Sequence, residues 1–213
     1  QLEREDKVII VIDSIGNLAS KKELEDAINE KAVADMSRAK ALKGLFRMIT
    51  PYLTMKNVPI IAVNHTYKEI GLFPKDIVGG GTGIYYSADN IWIIGRQQDK
   101  KGTDIQGYHF VINVEKSRFV KEKSKIPITV SWEGGVQHYS GLLDCALAGG
   151  YVIKPSNGWY SYKDSESKVR YDQTLTEDFW KPIFEKTDFK EFVKKQYSIG
   201  HKQLVPMEEI VDD

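Results

Sequence analysis

The stretch Val8-Ile9-Ile10-Val11-Ile12, followed at once by Asp13-Ser14, decides the fold. Five consecutive β-branched residues suit a strand covered on both faces of a parallel sheet, where no polar alternation is needed. A second run, Val58-Pro59-Ile60-Ile61-Ala62-Val63, has the same texture and ends in Asn64-His65. Two such strands with polar ends place Asp13, Ser14, Asn64 and His65 on one carboxyl edge, where ligands of α/β proteins gather.

Between the two runs the spacing predicts a helix from about Lys22 to Ala34 and another from about Met36 to Thr50, stopped by Pro51. On the second helix Ala39, Leu42, Phe46 and Ile49 make an apolar stripe, while Lys40, Lys43 and Arg47 share another face. After His65 comes a polar, glycine-rich segment from Thr66 to Gly83, longer than a simple connector. Strands are expected from Ile91, over Tyr108 to Val114 and over Ile126 to Trp132, with turns at Asp99-Lys100-Lys101-Gly102 and Glu133-Gly134-Gly135. From about Tyr139 the texture changes: a helix from Gly141 to Ala148, the segment Gly158-Trp159-Tyr160-Ser161-Tyr162, then helices over Thr176 to Lys186 and Asp188 to Gln196. The reading is an α/β core over residues 1–137 and a small α+β lobe over 138–213, with the tail after Gly200 expected to fray.

Lys+Arg and Asp+Glu number 30 each in the 213 residues, so any nucleic-acid binding must come from local clusters rather than global charge. The single cysteine, Cys145, excludes a disulfide framework within these residues and fits a reducing cytoplasm. No run of about 18 apolar residues is present, and no signal peptide is read, so no membrane partner is expected. The opening Gln1-Leu2-Glu3-Arg4-Glu5-Asp6, directly before a buried-looking strand, reads as a cut inside a longer protein.

Asp13 at the end of its strand has two readings: an anchor for a Mg²⁺-bound water near nucleotide phosphates, or a turn cap. His65 is either part of the same concave edge or a hydrogen-bonded strand end. His109, His138 and His201 lack metal-ligand spacing, which excludes a zinc site. Gly79-Gly80-Gly81-Thr82-Gly83 has no Gly-Lys-Ser/Thr ending, and G-x-x-x-x-G-K-[ST] occurs nowhere in the sequence. The cluster reads instead as a hinge into a helix near Ile84. With Lys68, Phe73 and Lys75 upstream, this basic and aromatic loop can grip single-stranded nucleic acid. Glu115-Lys116-Ser117-Arg118, with Lys121, Lys123 and Lys125 beyond, decorates an edge strand or offers two cations to phosphates across a subunit boundary.

In this order the segments resemble the RecA-type recombinases, most closely their phage UvsX-type branch, over nearly the whole chain up to about Gly200. Val8 to Asn17 resembles the family's Walker B strand. Ala62-Val63-Asn64-His65 resembles the strand ending in a polar γ-phosphate sensor. Thr66 to Gly83, leading into Tyr85-Tyr86-Ser87-Ala88-Asp89, is similar to the second DNA-binding loop and its exit helix. Lys116-Ser117-Arg118 resembles the basic pair reaching the neighbouring protomer's ATP, and Trp159-Tyr160-Ser161-Tyr162 a segment of the family's C-terminal region.

The resemblance implies a RecA-like P-loop ATPase core, with a mostly parallel central sheet and an antiparallel extension, that works as a DNA-dependent ATPase. ATP and Mg²⁺ are then the cofactors, with Asp13, Ser14, Asn64 and His65 at the nucleotide and Asp13, His65, Lys116 and Arg118 catalytic. The implied partners are single- and double-stranded DNA, further protomers in a filament, and recombination mediator and single-strand-binding proteins in the host cytoplasm. DNA contacts are expected from Lys40, Lys43, Arg47, Lys68, Phe73, Lys75, Gly79, Gly80 and Gly81, with the first DNA loop between Ser20 and Arg38. One departure is decisive: the phosphate loop is missing, so this chain alone is not expected to hold ATP well. A ring-shaped replicative helicase shares the same core, and a non-enzymatic DNA-binding module lacking the ATP loop is the other alternative.

Overall fold

The computed structural model describes residues 6–29, 37–72, 74–163, 165 and 167–199. Contacts divide the chain into two compact units, residues 1–91 and 92–213.

In the first unit β1 (Ile10–Ile12) pairs in parallel with β2 (Ile60–Ala62), in the register Ile10 to Ile60 and Ile12 to Ala62. The described parallel pairing is two-stranded, and this bears on the expectation of a strand buried on both faces. Ile12 packs against the core of Ile15, Leu42, Phe46 and Ile84. Val11, pointing the other way, is 62% exposed. One covered face is what a single packing layer supplies.

Helix α1 (Lys21–Ile28) starts at a reciprocal cap: Glu23 N–H donates to Ser20 Oγ at 3.1 Å, and Ser20 N–H donates to Glu23 Oε2 at 2.6 Å. Its expected continuation to Ala34 falls largely outside the described residues. Helix α2 (Ser37–Lys56) differs from expectation by running through Pro51. Proline removes one amide donor. Thr50 and Thr54 donate their hydroxyls to Phe46 O at 2.6 Å and Thr50 O at 2.9 Å, and half-buried Leu53 keeps the next turn on the packed side. The helix ends where Asn57 turns left-handed at φ 53°. Val58 N–H then donates to Leu53 O at 2.9 Å and Asn57 N–H to Thr54 O at 3.2 Å, the two bonds of a Schellman cap.

The segment from Thr66 to Gly83, expected as a loop, holds an antiparallel hairpin of β3 (Thr66–Lys68) and β4 (Asp76–Val78). Its strands are only three residues each, too short to leave a clear period-two signal. Gly80 and Gly81 follow with φ of 85° and 83°, a region that suits glycine. Helix α3 (Thr82–Ser87) then packs against α2, where Gly83 faces the Lys43 backbone and stem.

The second unit carries a sheet of order β5 (Asn90–Lys101), β6 (Asp104–Ser117), β7 (Lys125–Ser131) and β8 (Gly135–Val136). β6 and β7 run antiparallel from Gly107–Ser131 to Asn113–Lys125, and β7 runs antiparallel to β8. Helix α4 (Leu142–Ala148), the hairpin β9 (Val152–Ser156) and β10 (Trp159–Tyr162), and helices α5 (Glu177–Lys186) and α6 (Phe189–Tyr197) follow. They close on Trp180, which is stacked between Tyr139 and Phe189 at centroid distances of 6.2 and 5.9 Å and donates its indole N–H to Thr174 O at 2.6 Å. Burial and the contact with Cys145 Sγ at 3.3 Å push the Tyr197 hydroxyl up to about 12. The neutral phenol therefore supports the fold below the ordinary value of 10.0, and that support is lost as pH rises towards the folded value.

A pair of glycine substitutions separates tight packing from open surface. A Cβ on Gly83 would lie 2.5 Å from Lys43 Cβ and 2.9 Å from Lys43 Cα, whereas one on Gly71 meets nothing within 4 Å. In urea unfolding, Gly83→Ala is expected to destabilise by about 1–3 kcal/mol. Gly71→Ala is expected to be neutral or stabilising by up to about 1 kcal/mol.

Candidate nucleotide edge and nucleic-acid interface

The parallel pairing outlasts the strands. Val63 N–H donates to Ile12 O at 2.9 Å, and Ile15 N–H donates back to Val63 O at 2.9 Å. These two bonds set Asp13-Ser14 beside Asn64-His65 at the carboxyl edge. The peptide between Asp13 and Ser14 is cis. A 3-10 turn (Ile15–Asn17) follows, and it brings Gly16 under the His65 ring: a Cβ there would sit 2.8 Å from His65 Cδ2. Only a glycine lets imidazole and turn approach so closely.

Asn64 organises the other half of the edge. Its Oδ1 accepts from His65 N–H at 2.9 Å and its Nδ2 donates to Gly79 O at 2.7 Å, while Gly79 N–H donates to His65 O at 2.9 Å. The base of the hairpin is thereby tied to the strand end. Asp13 and His65 themselves are exposed. Ser14 is buried, and among the described residues its hydroxyl has no hydrogen-bond partner. A buried hydroxyl without a partner beside an exposed carboxylate fits residues that receive a phosphate or a metal-bound water, since an unsatisfied buried hydroxyl is otherwise costly. Mg²⁺ takes few protein carboxylates when phosphate oxygens and waters complete its octahedron, so an exposed Asp13 fits the role of one protein anchor. The residues fit ATP with Mg²⁺.

The expected DNA-binding residues sit in three settings. Lys40, Lys43 and Arg47 are exposed along α2, in the same unit as the edge, although the Lys43 stem lies against Gly83. Lys68 pairs with Asp76 across the hairpin at 2.8 Å, so its charge is partly compensated, whereas Lys75 is exposed. Gly79, Gly80 and Gly81 form the turn between β4 and α3. Phe73 lies outside the described residues. The hairpin tip also holds Ile70 and Leu72, exposed by 101% and 95%. Sequence reasoning passed over both; the signal was two aliphatic residues in an otherwise polar loop. Arg38 was missed as well: its guanidinium donates to Ile15 O at 3.1 Å and to Gly16 O, clamping the turn behind Asp13 from α2.

Lys116 and Arg118 belong to the second unit. Lys116 is half-buried one residue before the end of β6, while Arg118 is exposed on a bend just past it. The simple alternation of a strand therefore does not set both side chains. Ser117, between them, is buried and accepts from the Phe119 and Val120 amides at 3.1 Å each, which turns the chain. Among the described residues no helix is long and apolar enough to cross a membrane.

Residues 139–193 match the family described as the C-terminal domain of the bacteriophage T4 recombination and repair protein. The chain is 53% identical to the recombination and repair protein of enterobacteria phage T4 over 209 residues, 93% of this chain and 54% of that protein. It is 28% identical to RecA of Bacteroides thetaiotaomicron over 161 residues, 74% of this chain and 48% of that protein. It is 25% identical to RecA of Ectopseudomonas oleovorans over 214 residues, 96% of this chain and 60% of that protein. The chain spans about half the length of the curated relatives it matches. It is a relative of the UvsX-type recombination and repair proteins of phage and, more distantly, of RecA.

Proposed function

We propose that this chain is part of an ATP-dependent recombinase that assembles as a filament on single-stranded DNA and pairs it with a homologous duplex in the host cytoplasm. The observation that carries the reading is the convergence of Asp13, Ser14, Asn64, His65 and Gly79 on one carboxyl edge, joined directly to the base of the β3–β4 hairpin. The relatives favour it over a replicative helicase or a non-enzymatic module. Residues 1–137 would form the larger part of a RecA-like core, with a mostly parallel central sheet and an antiparallel extension, and 138–213 the small lobe. The family match beginning at residue 139 supports that boundary.

ATP with Mg²⁺ supplies the phosphoryl group whose transfer to water drives turnover. Within the chain, Asp13 is the residue to hold a metal-bound water, the Ser14 hydroxyl a hydrogen-bonding group beside it, and His65 the group that responds to the terminal phosphate. The bond from Asn64 to Gly79 gives that response a route to the hairpin. Lys40, Lys43, Arg47 and Lys75 would contact phosphates, giving affinity without sequence preference. Ile70 and Leu72 at the tip suit apolar contact with unstacked bases. Lys116 and Arg118 would act on ATP held by the adjacent protomer. Mediator and single-strand-binding proteins would be further partners.

Three experiments test the reading. Fluorescence anisotropy with labelled oligonucleotides should show single-stranded DNA binding that Arg47→Glu weakens equally on all sequences. The slope of log affinity against log salt should flatten by about one contact; an unchanged slope with the fold intact removes the basic face of α2 from the DNA site. Purified chain should release no phosphate above background in the presence of DNA, because no phosphate loop is encoded in it; DNA-dependent turnover would overturn this. In a longer polypeptide that adds the loop, protomers carrying Lys116→Ala with Arg118→Ala should regain activity when co-assembled with protomers defective only in the loop. Absence of complementation despite co-assembly would return the pair to ordinary strand-end charge.

A further inference from the structure

Helix α2 has three faces rather than the two of an ordinary surface helix. Leu42 and Phe46 are buried in the core and Ile49 packs against it. Lys40, Lys43 and Arg47 form the basic face. On the third face Ala41, Leu45, Met48, Tyr52 and Met55 recur at steps of four, three, four and three. Leu45, Met48, Tyr52 and Met55 are 37%, 61%, 69% and 68% exposed. A repeat averaging 3.5 residues is the period at which an apolar seam stays facing a second helix. Scattered exposed apolar residues need no explanation, but a continuous apolar seam marks an interaction surface.

We propose that this seam docks an amphipathic helix of a partner protein whose own apolar seam is bordered by carboxylates. The charge pattern selects that occupant. Helix α2 carries Arg38, Lys40, Lys43, Arg47 and Lys56 and no Asp or Glu. Lys56 borders the seam on one side, and Lys40 and Arg47 lie beyond its other side within reach of their long stems. Charges flanking an apolar seam set partner choice, and like charges oppose pairing. Pairing of α2 with α2 of a second copy would set cation against cation. A helix bordered by glutamate or aspartate meets complementary charge at Lys56 on one side and at Lys40 and Arg47 on the other. The seam residues lie off the basic face, but Lys40 and Arg47 are shared with the proposed DNA contacts, so the test is run without DNA.

The test uses the purified chain and a fluorescein-labelled peptide about three heptads long, with leucine at the seam positions and glutamate at the flanking ones. Mutual repulsion of the glutamates keeps the probe monomeric. The same peptide with lysine at the flanks is the control. The glutamate peptide is expected to bind saturably, about tenfold or more tighter than the lysine peptide and more weakly as salt rises. Met48→Glu and Tyr52→Glu, both at exposed positions and checked by circular dichroism, should each weaken binding by about tenfold or more. No saturable binding of the glutamate peptide, equal binding of both peptides, or binding indifferent to both substitutions would overturn the proposal. So would a dimer in sedimentation velocity that Met48→Glu abolishes and the peptide fails to displace, because the seam would then belong to a second copy.

Discussion

Two hydrogen bonds past the ends of the paired strands hold the site together. Val63 N–H donates to Ile12 O, and Ile15 N–H donates to Val63 O. A parallel ladder normally stops where either strand turns away; here it continues into the 3-10 turn, so both polar termini leave the sheet side by side. Everything chemical in the first unit follows from this. The turn carries Gly16 under His65, Arg38 reaches from α2 to fix the turn's carbonyls, and Asn64 is left free to join strand end and hairpin base.

Helix α2 carries more tasks than its length suggests. It buries Leu42 and Phe46 to cover one face of the two-stranded sheet, ties the turn through Arg38, and receives α3 at Gly83. Its continuation through Pro51 matters for the last two seam residues, Tyr52 and Met55, which would not lie on a helix face if the chain stopped there. The Schellman cap at Asn57 then redirects the chain into β2 with Val58 already buried. Helix end and strand start are thereby one feature.

The second unit shows a different economy. Its small lobe closes on a ring of aromatic side chains about Trp180, whose single polar atom is satisfied by Thr174 O. An aromatic core of this kind buries a large area per residue and tolerates short helices. The register of β10 against β9 shifts between Trp159 and Ser161; Ser161 is buried and donates its hydroxyl to Ser165 O at 2.8 Å, while Trp159 meets the Arg170 guanidinium at 4.0 Å.

The sequence by itself determined which residues could be strands and where their polar ends fell. Short apolar runs at 8–12 and 58–63, rich in valine and isoleucine and bounded by polar residues, suit strands, and Asp13, Ser14, Asn64 and His65 were therefore legible as one edge. The spacing of Leu42, Phe46 and Ile49 likewise fixed the packed face of α2, because periodicity reports burial directly. Tertiary structure decided what local pattern does not encode. Pro51 is carried inside α2, where half-buried Leu53 keeps the following turn on the packed side although one helical amide is missing. The β3–β4 hairpin formed because long-range bonds from His65 and Asn64 to Gly79 hold its base, although neither strand is long enough to declare itself. Ser14 was buried and Ile70 and Leu72 were left bare by the tertiary arrangement, while Arg118 was carried off its strand by the local turn at Ser117. A chain reveals its local preferences residue by residue, but which groups are shielded from water depends on what lands beside them.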